Sequence, residues 1–368
     1  MSGAAGFVAA RPRPAAPAAG LLQRARRELF GDALTGATTI VLALLLAWAG
    51  WHFLQWALVH AVWQPDATRC QAARGQGACW GVVAEKGGLI VFGRYPADQR
   101  WRAALASLLL VATVGASGAP WLRRPLRLAA AWLLVLAAFL WLMGGGAGLA
   151  HVPTDLWGGL PLTLLLTGTA LALAFPLAVA LALGRRSRLP ALRAVCSAFV
   201  ELVRGVPLVS VLFMASFMAP LLLPPGRTPD VLLRVVAGLT LFAAAYMAEI
   251  VRAGLQSVER GQAEAAASLG LSWWQAQRGI VLPQALAAVV PALVNNILSL
   301  FKDTSLVTIV SLYELTGALG LALSSDADWR PFQVEASLFV AAIYFSGCFA
   351  LSRMSLALER RLGRGRAR

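Results

Sequence analysis

Four polar side chains lie next to one another inside an apolar stretch of the chain. They are Lys302, Asp303, Thr304 and Ser305, and they offer a cation, a carboxylate and two hydroxyl groups. Neighbouring residues of a helix point about 100° apart, so this lysine and this aspartate do not neutralise each other. Each charge therefore needs a partner on another helix, in a water-filled cavity or on a ligand. Two interpretations follow: the four residues line a path for a polar solute, or the two charges pair with other helices and lock a dimer.

Two further pairs of opposite charge occur three residues apart, at Glu201 and Arg204 and at Glu249 and Arg252. Residues at this spacing share one face of a helix and can form an ion pair. We predict that Glu201 and Arg204 form a structural pair, and the alternative is contact with a substrate. For Glu249 and Arg252, we prefer bracing of the loop that follows them to a purely local pair.

Cysteine and histidine usage predicts no metal site. The three histidines are scattered and no C-x-x-C motif is present. Cys196 and Cys348 lie in apolar stretches, where a free thiol is usually an inert packing residue. Cys70 and Cys79 lie eight residues apart in a polar segment, and in an oxidising compartment they could form a disulfide. The alternative is two free thiols.

The composition is that of a membrane protein. The 368 residues are 59% hydrophobic and 13% charged, with a mean hydropathy of +0.69, whereas soluble domains are about a quarter charged. The apolar runs are continuous, without two-residue alternation, so we predict an all-α polytopic protein with about eight transmembrane helices. The predicted spans are 38–62, 103–121, 128–149, 159–183, 194–222, 231–251, 285–311 and 336–357.

The basic residues indicate orientation. They occur in short blocks between the apolar runs, which argues against a nucleic-acid-binding surface despite the net charge of +15. With the N-terminus in the cytoplasm, the inner segments carry 21 of the 32 basic residues, more than twice the number in the outer segments. We therefore predict cytoplasmic termini, with tails 1–37 and 359–368, and a periplasmic loop 63–102. The inner segments are 1–37, 120–127, 185–193, 252–283 and 353–368.

The segment Glu264–Pro283 reads E-A-A-A-S-L-G-L-S-W-W-Q-A-Q-R-G-I-V-L-P. We predict that Glu264 begins a short helix, that Gly270 ends it with a turn, and that Pro283 lies in the first turn of the next helix. The spacing resembles the EAA loop of bacterial ABC importer permeases. The residues in register are Glu264, Ala265, Ala266, Gly270, Ile280, Leu282 and Pro283. In that family the loop is the coupling helix that contacts the ATPase, so the resemblance implies this role for residues 252–284.

Other motifs resemble the amino-acid branch of that family. They are G-G-L-P-L-T-L-L-L-T-G-T at 158–169, E-L-V-R-G-V-P at 201–207, A-A-Y-M-A-E-I-V-R-A-G at 244–254 and F-K-D-T-S-L at 301–306. This ordered set is similar to the HisM/GlnP-like permeases of polar amino-acid importers. The segments 77–86 and 92–106 resemble the broad-specificity L-amino-acid permeases of the Aap/Bzt type. The resemblance implies three extra helices in 38–150, before a five-helix permease core in 151–358.

The family resemblance also implies partners. These are an ABC ATPase dimer that binds ATP and Mg²⁺, a companion permease, a periplasmic amino-acid-binding protein, L-amino acids and membrane lipid. This chain has no G-x-x-x-x-G-K-[ST] loop, so we expect no cofactor and no catalysis in it. A free amino acid carries both a carboxylate and an ammonium group, which Asp303 and Lys302 complement. The alternative is an ion-coupled secondary transporter of amino acids, although no convincing internal repeat supports it. A membrane enzyme would need a nucleophile and a base, and no such pair is evident.

Overall fold

A computed structural model describes residues 20, 26–122, 124–224 and 226–364 of the chain. Regular structure in these residues is helical, which confirms the predicted all-α class. The helices are α1 (Ala33–Leu54), α2 (Ala67–Ala72), α3 (Gly81–Phe92), α4 (Arg100–Ala116), α5 (Pro125–Gly144), α6 (Gly159–Gly184), α7 (Pro190–Gly205), α8 (Leu208–Phe213), α9 (Ala219–Leu221), α10 (Val231–Ser257), α11 (Arg260–Ser268), α12 (Trp273–Ala276), α13 (Leu282–Asp303), α14 (Leu315–Ser324) and α15 (Gln333–Arg364). The predicted N-terminal tail lies mostly outside the described residues, as do residues 365–368 of the C-terminal tail.

Six helical stretches in the described part of the chain are long and apolar enough to cross a membrane, or seven if one sharply bent pair is counted. They are Ala33–Val59, Leu126–Gly144, Gly159–Gly184, Val231–Ser257, Trp273–Val310 and Arg330–Arg360. Each of the eight predicted stretches contains a helix, and six of them contain a long, unbroken apolar helical stretch. The two differences are α4 and the bent pair.

α4 is at the lower limit of length for a membrane span. It has 17 residues, about 25 Å at 1.5 Å per residue, against a hydrocarbon core of about 30 Å. Its first turn carries Arg102, which is buried and donates hydrogen bonds to the carbonyls of Leu142 (2.7 Å) and Ala150 (2.9 Å). A cation near the last carbonyls of α5 is favourable, so this polar end is held by protein contacts.

The predicted span 194–222 is broken. α7 and the stretch Leu208–Leu221 meet at an angle of 107°. Gly205 and Pro207 flank the break, and Val206 between them is extended, with φ −111° and ψ 138°. Proline disfavours a helical conformation in the residue before it, which explains the end of α7 at this position.

The chain divides into two compact units. One contains Met1–Val62 and Cys70–Ala78, and the other contains Trp63–Arg69 and Cys79–Arg368. In the smaller unit, no residue of α1 is buried, and Ala78 N–H bonds to Trp56 O at 2.8 Å. The predicted boundary at residue 150 stays a prediction.

The larger unit is built around α6, α10 and α13. α10 packs along both of the other helices. α6 presents a stripe of buried alanines four residues apart, and small residues let helices approach closely in a membrane. The stripe consists of Ala170, Ala174, Ala178 and Ala182. At the start of α6, the buried Thr163 and Thr167 donate to carbonyls one turn earlier, Gly159 O and Thr163 O. These two threonines are therefore satisfied within α6 and lie on its packed side.

The segment 63–102 was predicted only as a loop, but it contains α2 and α3. α3 has 12 residues, too few for a membrane span, so hydropathy did not reveal it. α3 packs against α14 and the start of α6. Lys86 of α3 donates to Asp326 at 2.7 Å, and this hydrogen bond holds the pKa of Asp326 below its usual value.

Candidate functional site

The connection between α10 and α12 is a short helix with turns at both ends. α10 continues to Ser257 and α12 begins at Trp273, so the connecting segment is 258–272, shorter than the predicted 252–284. Its helix α11 begins at Arg260 after an extended Glu259. The prediction that Glu264 begins this helix was wrong. Residues 260–263 contain no helix breaker at an interior position, so Glu264 lies in the middle of α11 and is exposed.

Gly270 ends α11 in the predicted turn. Its φ is 72°, in the left-handed region. Gly270 N–H bonds to Ala267 O at 2.9 Å and Leu271 N–H bonds to Ala266 O at 3.1 Å. These two bonds form a Schellman motif, in which the left-handed residue is usually glycine. Apart from its own chain neighbours, no atom of the described residues would lie within 4 Å of a Cβ at Gly270, so the preference for glycine comes from the backbone conformation.

A second cap follows directly. The Ser272 side chain accepts from Gln275 N–H, and the Gln275 side chain accepts from Ser272 N–H, which forms a capping box at the start of α12. Trp273 and Trp274 then lie edge to face, with ring centroids 4.6 Å apart, and both are exposed. Together the Schellman turn and the capping box fix the connecting segment at both ends of its sharp bend.

Pro283 does not begin a separate helix after a break. The chain from Trp273 to Val310 is one helical stretch, and a π-helical turn, Gln277–Val281, directly precedes α13. Proline lacks the N–H of a helical hydrogen bond, and a π-turn next to it accommodates the change in pairing. Pro283 is the second residue of α13, as predicted for its first turn.

The seven motif residues are not equivalent in exposure. Ala266 is buried, Ile280 and Leu282 are half-buried, and Leu282 packs against the core. The exposed members are Glu264, Ala265, Gly270 and Pro283. The motif therefore combines residues that anchor the segment with residues available to a partner.

α10 and α13 approach each other closely beside this segment. A Cβ at Gly254 would lie 2.6 Å from Ala285 O and 2.9 Å from Val289 Cγ1. Only glycine allows this distance. α10 and α13 are therefore packed directly against each other next to the connecting segment.

Glu249 is the centre of an ion-pair cluster. It accepts from Arg185 at 2.7 Å and from Arg252 Nε at 3.0 Å, and Arg204 lies 3.7 Å away. Glu201 pairs with Arg185 at 3.3 Å. The predicted Glu249–Arg252 pair is present, and the predicted Glu201–Arg204 pair was wrong. Both members of that pair have partners on other elements, because the half-buried Glu249 carboxylate attracts the surrounding cations more strongly than an exposed glutamate does.

The polar residues at 302–305 do not share one surface. Lys302 is exposed, Asp303 and Ser305 are half-buried, and Thr304 is buried with its hydroxyl bonded to Phe301 O at 2.8 Å. α13 ends at Asp303 and a 3₁₀ helix, Thr304–Val310, follows. In the described part of the chain, neither charged side chain forms an ion pair or hydrogen bond.

The sequence reading missed a buried carboxylate, Glu314. It is fully buried and accepts from Thr163 Oγ1 at 3.2 Å and Tyr344 Oη at 2.8 Å. It also caps α14 by accepting from the N–H groups of Thr316 and Gly317. Glu314 thus joins the starts of α6 and α14 to α15. Glutamate is not one of the residues usually found at a helix N-cap, so the sequence around Glu314 carried no clear signal for this role.

Cys70 and Cys79 are fully buried and both are disulfide-bonded, whereas Cys196 and Cys348 are free. No group of three or more His, Cys, Asp or Glu that could hold a metal ion occurs among the described residues.

We expect Cys70 and Cys79 to form a disulfide in the expressed protein. Since both are buried, labelling of the native protein would not reveal it, so the protein is denatured in detergent before a maleimide is added. Neither cysteine should react until a reductant is present. Cys348 should react under both conditions and serves as the internal control. Labelling of both without reductant would contradict the bond.

Comparison with known proteins identifies the family. The family described as "Binding-protein-dependent transport system inner membrane component" matches residues 174–364, more than half of the chain. The chain is 42% identical over 349 residues to the inner membrane amino-acid ABC transporter permease protein YhdY of Escherichia coli (strain K12), covering 93% of both proteins. The chain belongs to this permease family. The permease is thus a multi-pass inner-membrane protein and a transport subunit, and the ion-coupled alternative is not supported.

Two other relatives indicate how far the similarity extends along the permease. This chain is 35% identical to the glutamate/glutamine/aspartate/asparagine transport system permease protein BztC of Rhodobacter capsulatus, over 97% of each chain. It is 34% identical to the probable glutamine ABC transporter permease protein GlnP of Bacillus subtilis, which matches 55% of this chain and 92% of its own length. A shorter relative thus matches little more than half of the permease.

Proposed function

We propose that this permease is a subunit of an ATP-driven importer of L-amino acids. Two of its relatives are permeases of amino-acid transport systems, which supports this substrate class. We further propose that it forms the path with a companion permease, receives substrate from a periplasmic amino-acid-binding protein, and is driven by an ABC ATPase dimer that binds ATP and Mg²⁺. The observation that carries the proposal is the connecting segment, an exposed helix held by a Schellman turn and a capping box.

The connecting segment suits the role of an ATPase contact. α11 exposes Glu264 and Ala265, and next to it Leu269 and Trp274 are 79% and 68% exposed. Apolar side chains at this level of exposure, beside a charged helix, are typical of a protein interface. Movement of α11 would reach α13 through α12. It would also reach α10, because α10 and α13 approach each other closely at Gly254. Neither route passes through a flexible loop.

The proposed substrate path follows one face of α13. Asn295, Ser299 and Lys302 lie at i, i+4 and i+7 and are all exposed. Such a polar stripe is unfavourable against lipid, so we assign it to the path or to the companion permease. Asp303 and Ser305 follow Lys302 in the chain but are half-buried, so their place in the path stays a prediction. Thr304 is buried and supports the end of the helix from inside.

The proposal is tested by uptake. The permease, its companion, the ATPase and the binding protein are assembled in proteoliposomes with ATP and Mg²⁺ inside, and a panel of labelled amino acids is added outside. We expect uptake of polar amino acids that requires both the binding protein and ATP. A matched preparation without ATP is the control. Uptake that persists without the ATPase and responds to an ion gradient would contradict the proposal.

Replacement of Lys302 by glutamine should reduce uptake by roughly ten- to a hundredfold, since loss of one charged contact costs about 1.5–3 kcal/mol. Arg227→Gln removes an exposed positive charge outside the proposed path, so it is the control and should leave uptake near the wild-type value. The amount of assembled complex is measured in parallel. If Lys302→Gln lowers assembly and uptake in proportion, Lys302 locks the permease pair and does not line the path.

We propose that both termini are cytoplasmic. A phosphatase fused after Arg368 should be inactive and a fluorescent protein at the same site should fold and fluoresce. Phosphatase fused after Arg227, in the short connection before α10, is the control and should be active. The opposite result at both sites would reverse the orientation.

A further inference from the structure

α7 is a strongly amphipathic helix. Its exposed apolar side chains recur at Leu192, Val195 and Leu202, with the half-buried Phe199 between them. Its polar side chains occupy the opposite face. They are Arg193, Ser197, Glu201 and Arg204. Cys196 and Val200 lie between the two faces and are buried.

The contacts of α7 place it across the end of α6. A Cβ at Gly184 would lie 2.5 Å from Cys196 Sγ, and Arg185 pairs with Glu201 at 3.3 Å. If α7 ran back alongside α6 as a membrane span, Glu201 would lie about 16 Å below the end of α6, from eleven residues at 1.5 Å each. The contact with Arg185 shows that α7 stays near the level at which α6 ends.

The contacts at the C-terminal end of α7 also place the helix near the level at which α6 ends. Arg204 lies 3.7 Å from Glu249, the residue that also binds Arg185 at the end of α6. α7 is therefore held near one level along its length, and the chain turns by 107° only after Gly205. An amphipathic helix in this position has its apolar face towards the hydrocarbon and its polar face towards water.

Two exposed arginines near the start of α7 are available to a ligand. In the part of the chain that the structure describes, the side chains of Arg188 and Arg193 form no ion pair or hydrogen bond. Arg186 is nearby and uses one nitrogen on Leu255 O at 2.8 Å. Basic side chains beside an apolar helix face complement the phosphate groups of anionic lipids.

We propose that α7 is an interfacial helix that binds anionic phospholipid, with Leu192, Val195 and Leu202 at the acyl boundary and Arg188 and Arg193 on the headgroups. The occupant we assign is lipid, because the aliphatic side chains match the acyl region and the two unpaired arginines beside them match the phosphate of an anionic headgroup. With the orientation proposed above, α7 lies in the cytoplasmic leaflet. Its position at the interface does not depend on that orientation.

The test measures lipid contact directly. The complete complex is placed in nanodiscs, with the free cysteines removed as Cys196→Ala and Cys348→Ala, and a bimane is attached at Val195→Cys. Lipids brominated on their acyl chains quench the bimane on contact. We expect the label to be quenched by brominated phosphatidylglycerol in preference to brominated phosphatidylcholine by roughly thirtyfold, since each of the two arginines near an anionic lipid contributes about 1 kcal/mol. A bimane at Ala194→Cys, on the polar side, should be quenched by aqueous iodide instead.

The role of Arg188 and Arg193 is tested with the same bimane label at Val195→Cys. Arg188→Gln with Arg193→Gln should bring the preference for phosphatidylglycerol close to one, while quenching by both lipids persists. Arg227→Gln with Arg330→Gln removes two exposed charges elsewhere and should leave the preference unchanged. Size-exclusion profiles check assembly.

Two outcomes would overturn the inference. No quenching by either lipid means that protein covers α7, and equal quenching by both lipids in the unaltered arginine background removes the headgroup site. The measurement needs no transport, so a complex that fails the uptake experiment but shows the lipid preference contradicts the proposed function alone.

Discussion

Replacement of Gly270 by valine is expected to uncouple ATP hydrolysis from amino-acid-loaded binding protein while the permease stays in the membrane. The Schellman turn after α11 needs a φ of 72° at this position. A left-handed conformation costs an ordinary residue about 1–2 kcal/mol, and more when it is β-branched. The turn would open, and the proposed ATPase contact would be misplaced. Stimulated ATPase activity should fall by about tenfold, the equivalent of 1.4 kcal/mol.

Two further variants separate backbone strain from loss of a contact. Gly270→Asn adds a side chain but tolerates the left-handed conformation, and its Cβ would meet no other atom of the described residues beyond its chain neighbours. If it behaves like the wild type, strain explains the valine result; if it also uncouples, the ATPase surface approaches Gly270 closely. Gly320→Val is the remote control, because Gly320 also has no neighbour within 4 Å and no positive φ.

A cysteine at Ala267, exposed on α11, should cross-link to the ATPase in the assembled complex. Absence of any cross-link in a working complex, together with normal coupling by Gly270→Val, would contradict the role given to the connecting segment.

Replacement of Glu249 by glutamine should destabilise the permease by about 2–3 kcal/mol. The change leaves Arg185, Arg204 and Arg252 around a neutral amide. Removing one partner of a buried ion pair costs about 3–5 kcal/mol, and we reduce this figure because the Glu249 side chain is 26% exposed. The midpoint of thermal unfolding of the purified complex, followed by loss of the monodisperse size-exclusion peak, measures the effect.

Glu201→Gln is the matched control for Glu249→Gln. It removes the same charge from the same cluster, but the Glu201 side chain is 69% exposed, and exposed ion pairs contribute about 0–1 kcal/mol. Its unfolding midpoint should therefore change little. Arg185→Gln combined with Glu249→Gln should recover part of the loss, since it removes one unpaired cation. Equal destabilisation by Glu249→Gln and Glu201→Gln would contradict the central role of Glu249 in the ion-pair cluster.

Some features could be predicted from sequence because they depend on residues close together in the chain. Continuous apolar runs indicated membrane helices, since only hydrocarbon accommodates them. The turn at Gly270 followed from a glycine after a run of helix formers. The Glu249–Arg252 pair followed from the helical repeat alone. The exact start of α11 was missed because residues on either side of a helix end differ little in helix propensity.

Other features were decided only by the tertiary structure. Glu201 and Arg204 have the spacing of a local pair, yet their partners, Arg185 and Glu249, are 16 and 45 positions away in the chain. The sequence placed most of α7 in the predicted span 194–222. Its position across the end of α6 depends on contacts at Gly184 and Arg185. Glu314 is buried because Thr163 and Tyr344, from two other helices, supply its hydrogen bonds. A local sequence pattern fixes which face of a helix is polar. Which helix meets that face depends on how all the helices pack together, and local spacing carries no information on that arrangement.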